Sequence, residues 1–387
     1  AHQMICAQEY ALGSKAFFDS NKTMNRLITW IVLGSALTGC SNPGTDVSSE
    51  EQSATIENVF LITLDGFRWE EMYTGVDPWF LENKDYTSEQ DAIRSAYWFD
   101  TPEKRRSALM PFFWSTIATE GQMFGNRHLG SEVNVSNDQV FSYPGYNEIL
   151  TGFADSTITS NDKIPNLNVT ILEWLNTQPA FAGKVAAFGS WDVFPFIINE
   201  ERSGVGVNAG FESATGALTE KETWLNEIQA QTPSPWSSVR LDVFTHNFAL
   251  EYIKKAHPRM VYISYGETDD FAHDHDYDQY INSAHRTDQF ISDLWSWVQS
   301  DPTYKDKTAF VIATDHGRGA EDRWIGHGID WFGSEQIWLA LIGPGIEPLG
   351  EINGGPRLYQ NQIAGTVSHL LNQNYQNRVP VGESVLK

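Results

Sequence analysis

An apolar run from Phe310 to Ala313 leads through Thr314 into Asp315 and His316, and a further histidine, His327, follows between Gly326 and Gly328. A hydrophobic core has little use for such a cluster. A divalent cation has a direct use, because carboxylate oxygen and imidazole nitrogen are the donors it takes where no thiolate is offered. Two other segments supply donors of the same kind. Asp65 ends the apolar run NVFLITL at 58–64. In TDDFAHDHDYD, residues 268–278, Asp269 and His273 are four apart, so one turn carries both side chains to one point. Asp270 is the rival carboxylate, and the relation of Asp269 to His273 decides against it. Asp65, Asp269, His273, Asp315, His316 and His327 thus form a set of nitrogen and oxygen ligands of the type zinc favours. Asp274, His275 and Asp276 read as surface groups or outer partners. Singly, Asp65-Gly66 reads as a turn and Asp315-His316 as a satisfied strand end; together they do not.

A cation pair that clamps attacking and leaving oxygens needs a nucleophile beside it. The stretch VFSYPGYNEILTG, residues 140–152, offers Ser142. It follows an apolar pair and precedes Tyr143, Pro144 and Gly145, which sets it at a strand or loop end before a helix. A helix N-terminus there favours an anionic group, and coordination to a cation lowers the pKa of a hydroxyl. The plainer reading of Ser142 is a helix cap.

The elements that must position these groups alternate. Residues 58–64, 184–191, 259–270, 308–316 and 336–346 read as buried strands, and 244–256 and 280–300 as helices between them. This pattern predicts an α/β fold, with a mainly parallel central sheet flanked by helices on both faces and irregular insertions around the site. In such sheets ligands bind beyond the carboxyl ends of the strands, where Asp65, Asp269 and Asp315-His316 fall. Segments 77–140, mixed and rich in aromatics, and 200–240, irregular and rich in Gly, Ser and Thr, read as the insertions.

The 26 basic and 50 acidic side chains give a net charge of −24. That field repels nucleic acid, so no duplex binding is expected, and it repels anionic substrates unless bound cations reverse it locally. The two cysteines, Cys6 and Cys40, precede the folded region, which excludes a stabilising disulfide and thiolate ligands within it. From Met24 the chain reads MNRLITWIVLGSALTGC: a basic Arg26, an apolar run from Leu27 to Leu37 too short to span a bilayer, then LTGC. This resembles a bacterial lipobox, whose cysteine is lipidated; the alternative is an ordinary secretory signal. Residues 1–23 are then an upstream extension or tag, 24–40 a lipoprotein signal peptide, 41–55 a polar flexible tether and 56–387 a single domain. The expected location is the bacterial cell envelope, exported, with the membrane touched only through the N-terminal lipid.

The pieces ITLDGFR (62–68), SYPGYNEILTG (142–152), ETDDFAH (267–273), ATDHG (313–317) and GHG (326–328) resemble, in order, the motifs of the alkaline phosphatase superfamily. The nearest branch is that of the nucleotide pyrophosphatases and phosphodiesterases, and the resemblance spans about residues 56–375. It implies two divalent ions, zinc by preference. Asp269, His273 and His327 would hold one, and Asp65, Asp315 and His316 the other, with Ser142 beside it forming a phosphoseryl intermediate. It further implies an asparagine on the phosphate, for which Asn161 in TSNDKIPN is the nearest fit, with Lys163 as a helper. Ser142 stands where the branch commonly has threonine. Tyr146 stands where the sulfatase signature needs arginine, which argues against a sulfatase.

The expectation is a two-zinc hydrolase acting on a small phosphate ester, a phosphomonoesterase first and a phosphodiesterase or nucleotide pyrophosphatase as the alternative. The other class of reading is a binding lipoprotein with a degenerate site. The presence of all six ligands and the serine opposes it.

Overall fold

The computed structural model describes residues 56–386. The expected signal peptide and tether, with Cys6 and Cys40, lie outside the described residues. No helix among the described residues is long and apolar enough to cross a membrane.

The main sheet is built from β1 (Asn58–Leu64), β2 (Gln122–Phe124), β3 (Val185–Gly189), β4 (Gly206–Ala209), β5 (Met260–Tyr265), β6 (Thr308–Thr314), β7 (Leu339–Ile342) and β8 (Gly350–Glu351). Their spatial order is β8-β2-β7-β6-β1-β5-β3-β4. The run β6-β1-β5-β3-β4 is parallel throughout. The helices that matter for the site are α1 (Ser142–Thr151), α2 (Asp242–Ala256), α3 (Glu267–His273), α4 (Tyr277–Val298) and α5 (Gln362–Leu370). All residues of β1, β5 and β6 are buried, because each of these strands is covered on both faces. Phe60, Ile62, Val261, Ile263, Phe310 and Ile312 face the layer containing α2 and α4. Val59, Leu61, Met260, Val311 and Ala313 face α1 and α5. The doubly covered, mainly parallel α/β sheet expected from the alternating pattern is the observed fold.

Several elements differ from expectation. The run 259–270 is a strand only to Tyr265, and residues 267–270 already belong to α3, so Asp269 stands on a helix; the segment 77–140, read as an insertion, supplies β2 to the main sheet. The run 336–346 is not one strand. Gln336–Ile337 pairs with Val133–Asn134 in a separate three-stranded sheet, and only Leu339–Ile342 joins the main sheet, antiparallel to β6. Trp338 marks the break: its buried indole donates to the Phe67 carbonyl at 2.8 Å. A parallel return needs a covering crossover, usually a helix, and the β6–β7 connection has only a 3₁₀ turn at Glu321–Arg323, its length serving the site instead. The segment 200–240 is also more regular than its composition suggests, holding β4 and a helix at Glu220–Gln231. That helix opens on a capping box in which Thr219 and Glu222 bond each other's backbone N–H groups, a signature visible in the sequence. On the outer edge of β4, Glu200 and Glu212 accept from the Val207 and Ala209 N–H groups at 3.1 and 2.9 Å, which blocks further strand pairing.

Register delivers the first ligands. Leu64 lies beside Thr314 on one flank and Tyr265 on the other. Asp65 and Asp315 therefore leave neighbouring strand ends side by side, and α3 begins two residues beyond Tyr265.

Candidate metal centre and nucleophile

Asp65 and Asp315 share one geometry. In each carboxylate one oxygen is tied and the other is free. Tyr146 Oη donates to Asp65 Oδ2 at 2.8 Å, and the Gly66 N–H donates to Asp315 Oδ1 at 3.0 Å. Asp65 Oδ1 and Asp315 Oδ2 are buried with no hydrogen-bond donor. Both face His316 Nε2, at 3.3 and 3.5 Å. The other ring nitrogen, Nδ1, lies 2.9 Å from the Gly317 carbonyl, to which it donates, so Nε2 is the nitrogen turned to the cluster; burial lowers this imidazole, but Asp315, Asp65 and Asp269 outweigh it and raise it to about 9. Burial first, then the charge of Asp269, raises the Asp65 carboxyl above its ordinary value; burial and then Asp65 raise Asp315 well above it. Two buried carboxylates with one orphaned oxygen each and a free imidazole nitrogen fit a divalent cation.

The second group is assembled from α3 and the β6–β7 loop. Asp269 Oδ2 is 3.1 Å from His273 Nε2, and His327 Nε2 lies 3.1 Å from His273 Nε2 and 3.7 Å from Asp269 Oδ1. The His316 and His327 rings stack with centroids 3.9 Å apart, and His316 Nε2 is also 3.9 Å from Asp269 Oδ1. His316 thus reaches both groups, and the division into two triads is less clean than its sequence spacing suggests. Burial favours the neutral Asp269, but His273, Arg318 and His327 outweigh it and hold this carboxyl well below its usual range.

Local structure explains why these groups converge. Asp242 at the start of α2 accepts from the Gly266 and Glu267 N–H groups at 2.8 and 3.1 Å, and Glu267 accepts from the Asp242 N–H at 2.9 Å. This reciprocal clamp fixes the first turn of α3 and with it Asp269. Gly66 has φ +59°, and a Cβ there would sit 2.7 Å from Asp269 Oδ1, so only glycine admits this approach.

Ser142 is the first residue of α1, with Pro144 tolerated in the first turn. Its hydroxyl lies 3.3 Å from His316 Nε2. The preceding loop is held by Glu148, one helical face further along α1, which accepts from the Ser136 hydroxyl at 2.6 Å and the Asn137 N–H at 2.9 Å. Val140, two residues before the serine, has φ +57°, a strained conformation for a β-branched residue, kept in place by its N–H donating to Asn137 Oδ1 at 2.8 Å.

The cleft over these groups has a volume of about 190 Å³; Asp65, Asp269, His273, His327 and Ser142 line it with Asn161, Trp191, Val239 and Asp270, while Asp315 and His316 lie fully buried and do not line it. Asn161 reaches the site, its Oδ1 accepting from the Tyr143 N–H at 3.0 Å. Lys163 does not line the cleft: its ammonium is half exposed and pairs with Asp192 at 2.7 Å, an ion pair that engages its charge outside the site. Asp270 does line it, and burial followed by the charge of Asp269 pushes its carboxyl up to about 9. Asp274 accepts from Trp236 Nε1 at 2.8 Å, Asp276 caps α4, and neither joins the cluster.

A family model described as Type I phosphodiesterase / nucleotide pyrophosphatase matches residues 166–375, more than half of the chain. The chain belongs to this family. The match includes Asp269, His273, Asp315, His316 and His327, while Asp65 and Ser142 precede it. No curated protein matches the chain. Among solved structures, the lipoteichoic acid synthase LtaP from Listeria monocytogenes aligns with TM-score 0.55 and 13% identity over 86% of this chain and 76% of that one. Wild type alkaline phosphatase PafA aligns with TM-score 0.56 and 11% identity over 86% and 98%. A putative sulfatase from Bacteroides thetaiotaomicron aligns with TM-score 0.57 and 12% identity over 85% and 73%. At such identities the likeness is one of fold alone.

This phosphodiesterase-family hydrolase carries three site residues that sequence reasoning passed over. Tyr146 registered only as a departure from a sulfatase motif, yet it holds Asp65. Glu148 gave no signal beyond its place in a helix. Arg318, one residue past the Asp-His-Gly run, is buried and its guanidinium bonds Asp269 Oδ1. A cation two residues from a suspected ligand was the signal that could have found it.

Proposed function

We propose that this protein hydrolyses phosphodiesters through Ser142, with two divalent cations, zinc by donor type, held by Asp65, Asp315 and His316 and by Asp269, His273 and His327. The observation that carries this reading is the convergence of Ser142 Oγ and the two free carboxylate oxygens on the same nitrogen, His316 Nε2. Cations bound there would neutralise the carboxylates, lower the pKa of the Ser142 hydroxyl and withdraw charge from the phosphate oxygens. Ser142 Oγ attacks phosphorus while the bond to the leaving alkoxide breaks; the proton given up by the hydroxyl passes to water, and water returns one to the alkoxide. A second water then forms the new P–O bond as the Ser142 O–P bond breaks, restoring the hydroxyl. Asn161, next to the Tyr143 N–H, orients the phosphate at the mouth of α1.

The choice of diester over monoester rests on charge. A monoester dianion asks for one more cation than a diester monoanion. Among the described residues, no Lys or Arg lines the cleft, and Lys163 is engaged by Asp192. Paired aryl substrates test the proposal. A chelated and zinc-reloaded enzyme is expected to cleave bis(4-nitrophenyl) phosphate with the higher kcat/KM. Faster cleavage of 4-nitrophenyl phosphate would return the monoesterase reading, and hydrolysis of neither would sink the catalytic one. The proposed setting is the cell envelope, supported by the LTGC run at 37–40; Cys40→Ala should then move the protein out of the membrane fraction.

A further inference from the structure

We propose that the two cation positions are unequal and that Arg318 makes them so: the Asp65, Asp315 and His316 position fills first and tightly, and the Asp269, His273 and His327 position fills second and weakly. This rests on the two-cation reading above and assigns a role to a residue that reading does not use.

The positions differ in what a cation would relieve. At the first, two buried carboxylate oxygens have no donor, and neighbouring donors hold only the opposite oxygens. The unfilled state has only His316 Nε2, at 3.3 and 3.5 Å, to balance both oxygens, and an arriving ion takes them with no fixed side-chain cation in the way, displacing at most a proton from that ring. At the second, Asp269 is already compensated. Arg318 Nη1 bonds Asp269 Oδ1, and His273 Nε2 lies against Oδ2. A cation arriving here gains less from Asp269 and meets a fixed positive charge sharing that carboxylate. His273 is also 44% exposed at its side chain, so part of this position is screened by water and costs ordering to close.

Arg318 cannot swing away to make room. Its side chain is fully buried; Nε donates to the Trp324 carbonyl at 2.7 Å and Nη2 to the Ile325 carbonyl at 2.9 Å. The same bonds shape the loop that delivers His327, so Arg318 is a positioning residue as well as a charge. The two roles predict opposite effects of removing it. Loss of charge raises affinity for the second ion; loss of the loop anchor lowers it.

Isothermal titration of the chelated, full-length protein with Zn²⁺ alone, paired with metal analysis after gel filtration, separates these outcomes without an activity assay. The wild type is expected to bind two ions in steps at least about 10-fold apart, the outer-shell scale. Asp315→Asn should remove the tight step and His327→Ala the weak one. Arg318→Gln keeps a donor for one loop carbonyl and drops the charge; it should narrow the gap, while Arg318→Lys keeps it wide. No zinc uptake by the wild type would defeat the two-cation reading itself. Two equal steps, or a gap that widens in Arg318→Gln, would overturn the present proposal and leave that reading standing. Should Arg318→Gln fail to fold by circular dichroism, the wild-type steps and their assignment by the other two variants still decide whether the positions are unequal in the order stated.

Discussion

Tyr146 Oη donates to Asp65 Oδ2 at 2.8 Å and itself receives the Ser264 hydroxyl at 3.1 Å, so a helix residue and a strand residue together fix the direction of the first ligand. Without the phenol, Asp65 has both oxygens free and no set orientation. Tyr146→Phe should weaken the tight zinc-binding step by about 10–100-fold, the usual effect of removing an outer partner of a metal ligand. The weak step should hardly move. Stepwise zinc titration of the variant checks this, and an unchanged tight step would mean that the strand end alone orients Asp65.

Ser142→Ala should abolish the trapped phosphoenzyme and cut turnover by several orders of magnitude while leaving zinc content at the wild-type level. The hydroxyl touches His316 Nε2 but holds none of the carboxylates. Acid quench with a labelled diester is the direct assay; label retained by the variant would move the nucleophile elsewhere.

His246 gives a pH dependence of stability unconnected with the site. It is buried on α2, stacked on Phe290 at 4.5 Å with Nδ1 3.0 Å from the Tyr265 hydroxyl. Burial first, then Lys221 and Lys254, lower its imidazole to about 4. A folded-state value below the unfolded one, ~6.5, means that the unfolded chain binds the proton more readily. Stability is therefore complete above that unfolded value and is lost as pH falls through the folded one, by up to about 3 kcal/mol. His246→Gln should be less stable at neutral pH and lose less between pH ~6.5 and 4. Urea midpoints of both proteins across that range measure the difference.

The strand ends were the most legible part of the molecule. A continuous apolar run that stops on Asp or on Asp-His is a local pattern, and β1 and β6 carry it without interruption. Asp269 with His273 was also local, one turn of one helix. What escaped depends on contacts between distant segments. Nothing in the neighbourhood of Tyr146 tells that Asp65 lies against it, 81 residues away in sequence. Lys163 misled for the same reason: an ammonium near an asparagine suggests phosphate, and only the fold reveals that Asp192 takes it. The break at Trp338 was hidden because one apolar stretch serves two sheets, and hydrophobicity does not say which neighbour it meets.

Gly145 makes the closest test of how α1 is seated. It lies three residues past the nucleophile, and a Cβ built there would fall 2.8 Å from the Asp315 carbonyl oxygen. That neighbour is backbone at a strand end and cannot rotate away. Gly145→Ala must therefore push α1 off the sheet by a few tenths of an ångström, in the direction that withdraws Ser142 from His316. Alanine is otherwise the better helix former by ~1 kcal/mol, so a solvent-facing glycine here would gain stability on substitution. The contact reverses the sign, and the expected change is a loss of about 1–3 kcal/mol, the range for overpacking. Turnover should fall together with stability while the zinc content persists, since Asp315 keeps its Gly66 bond. A variant that is more stable than wild type and equally active would show that α1 does not rest on Asp315 in the way its seating requires.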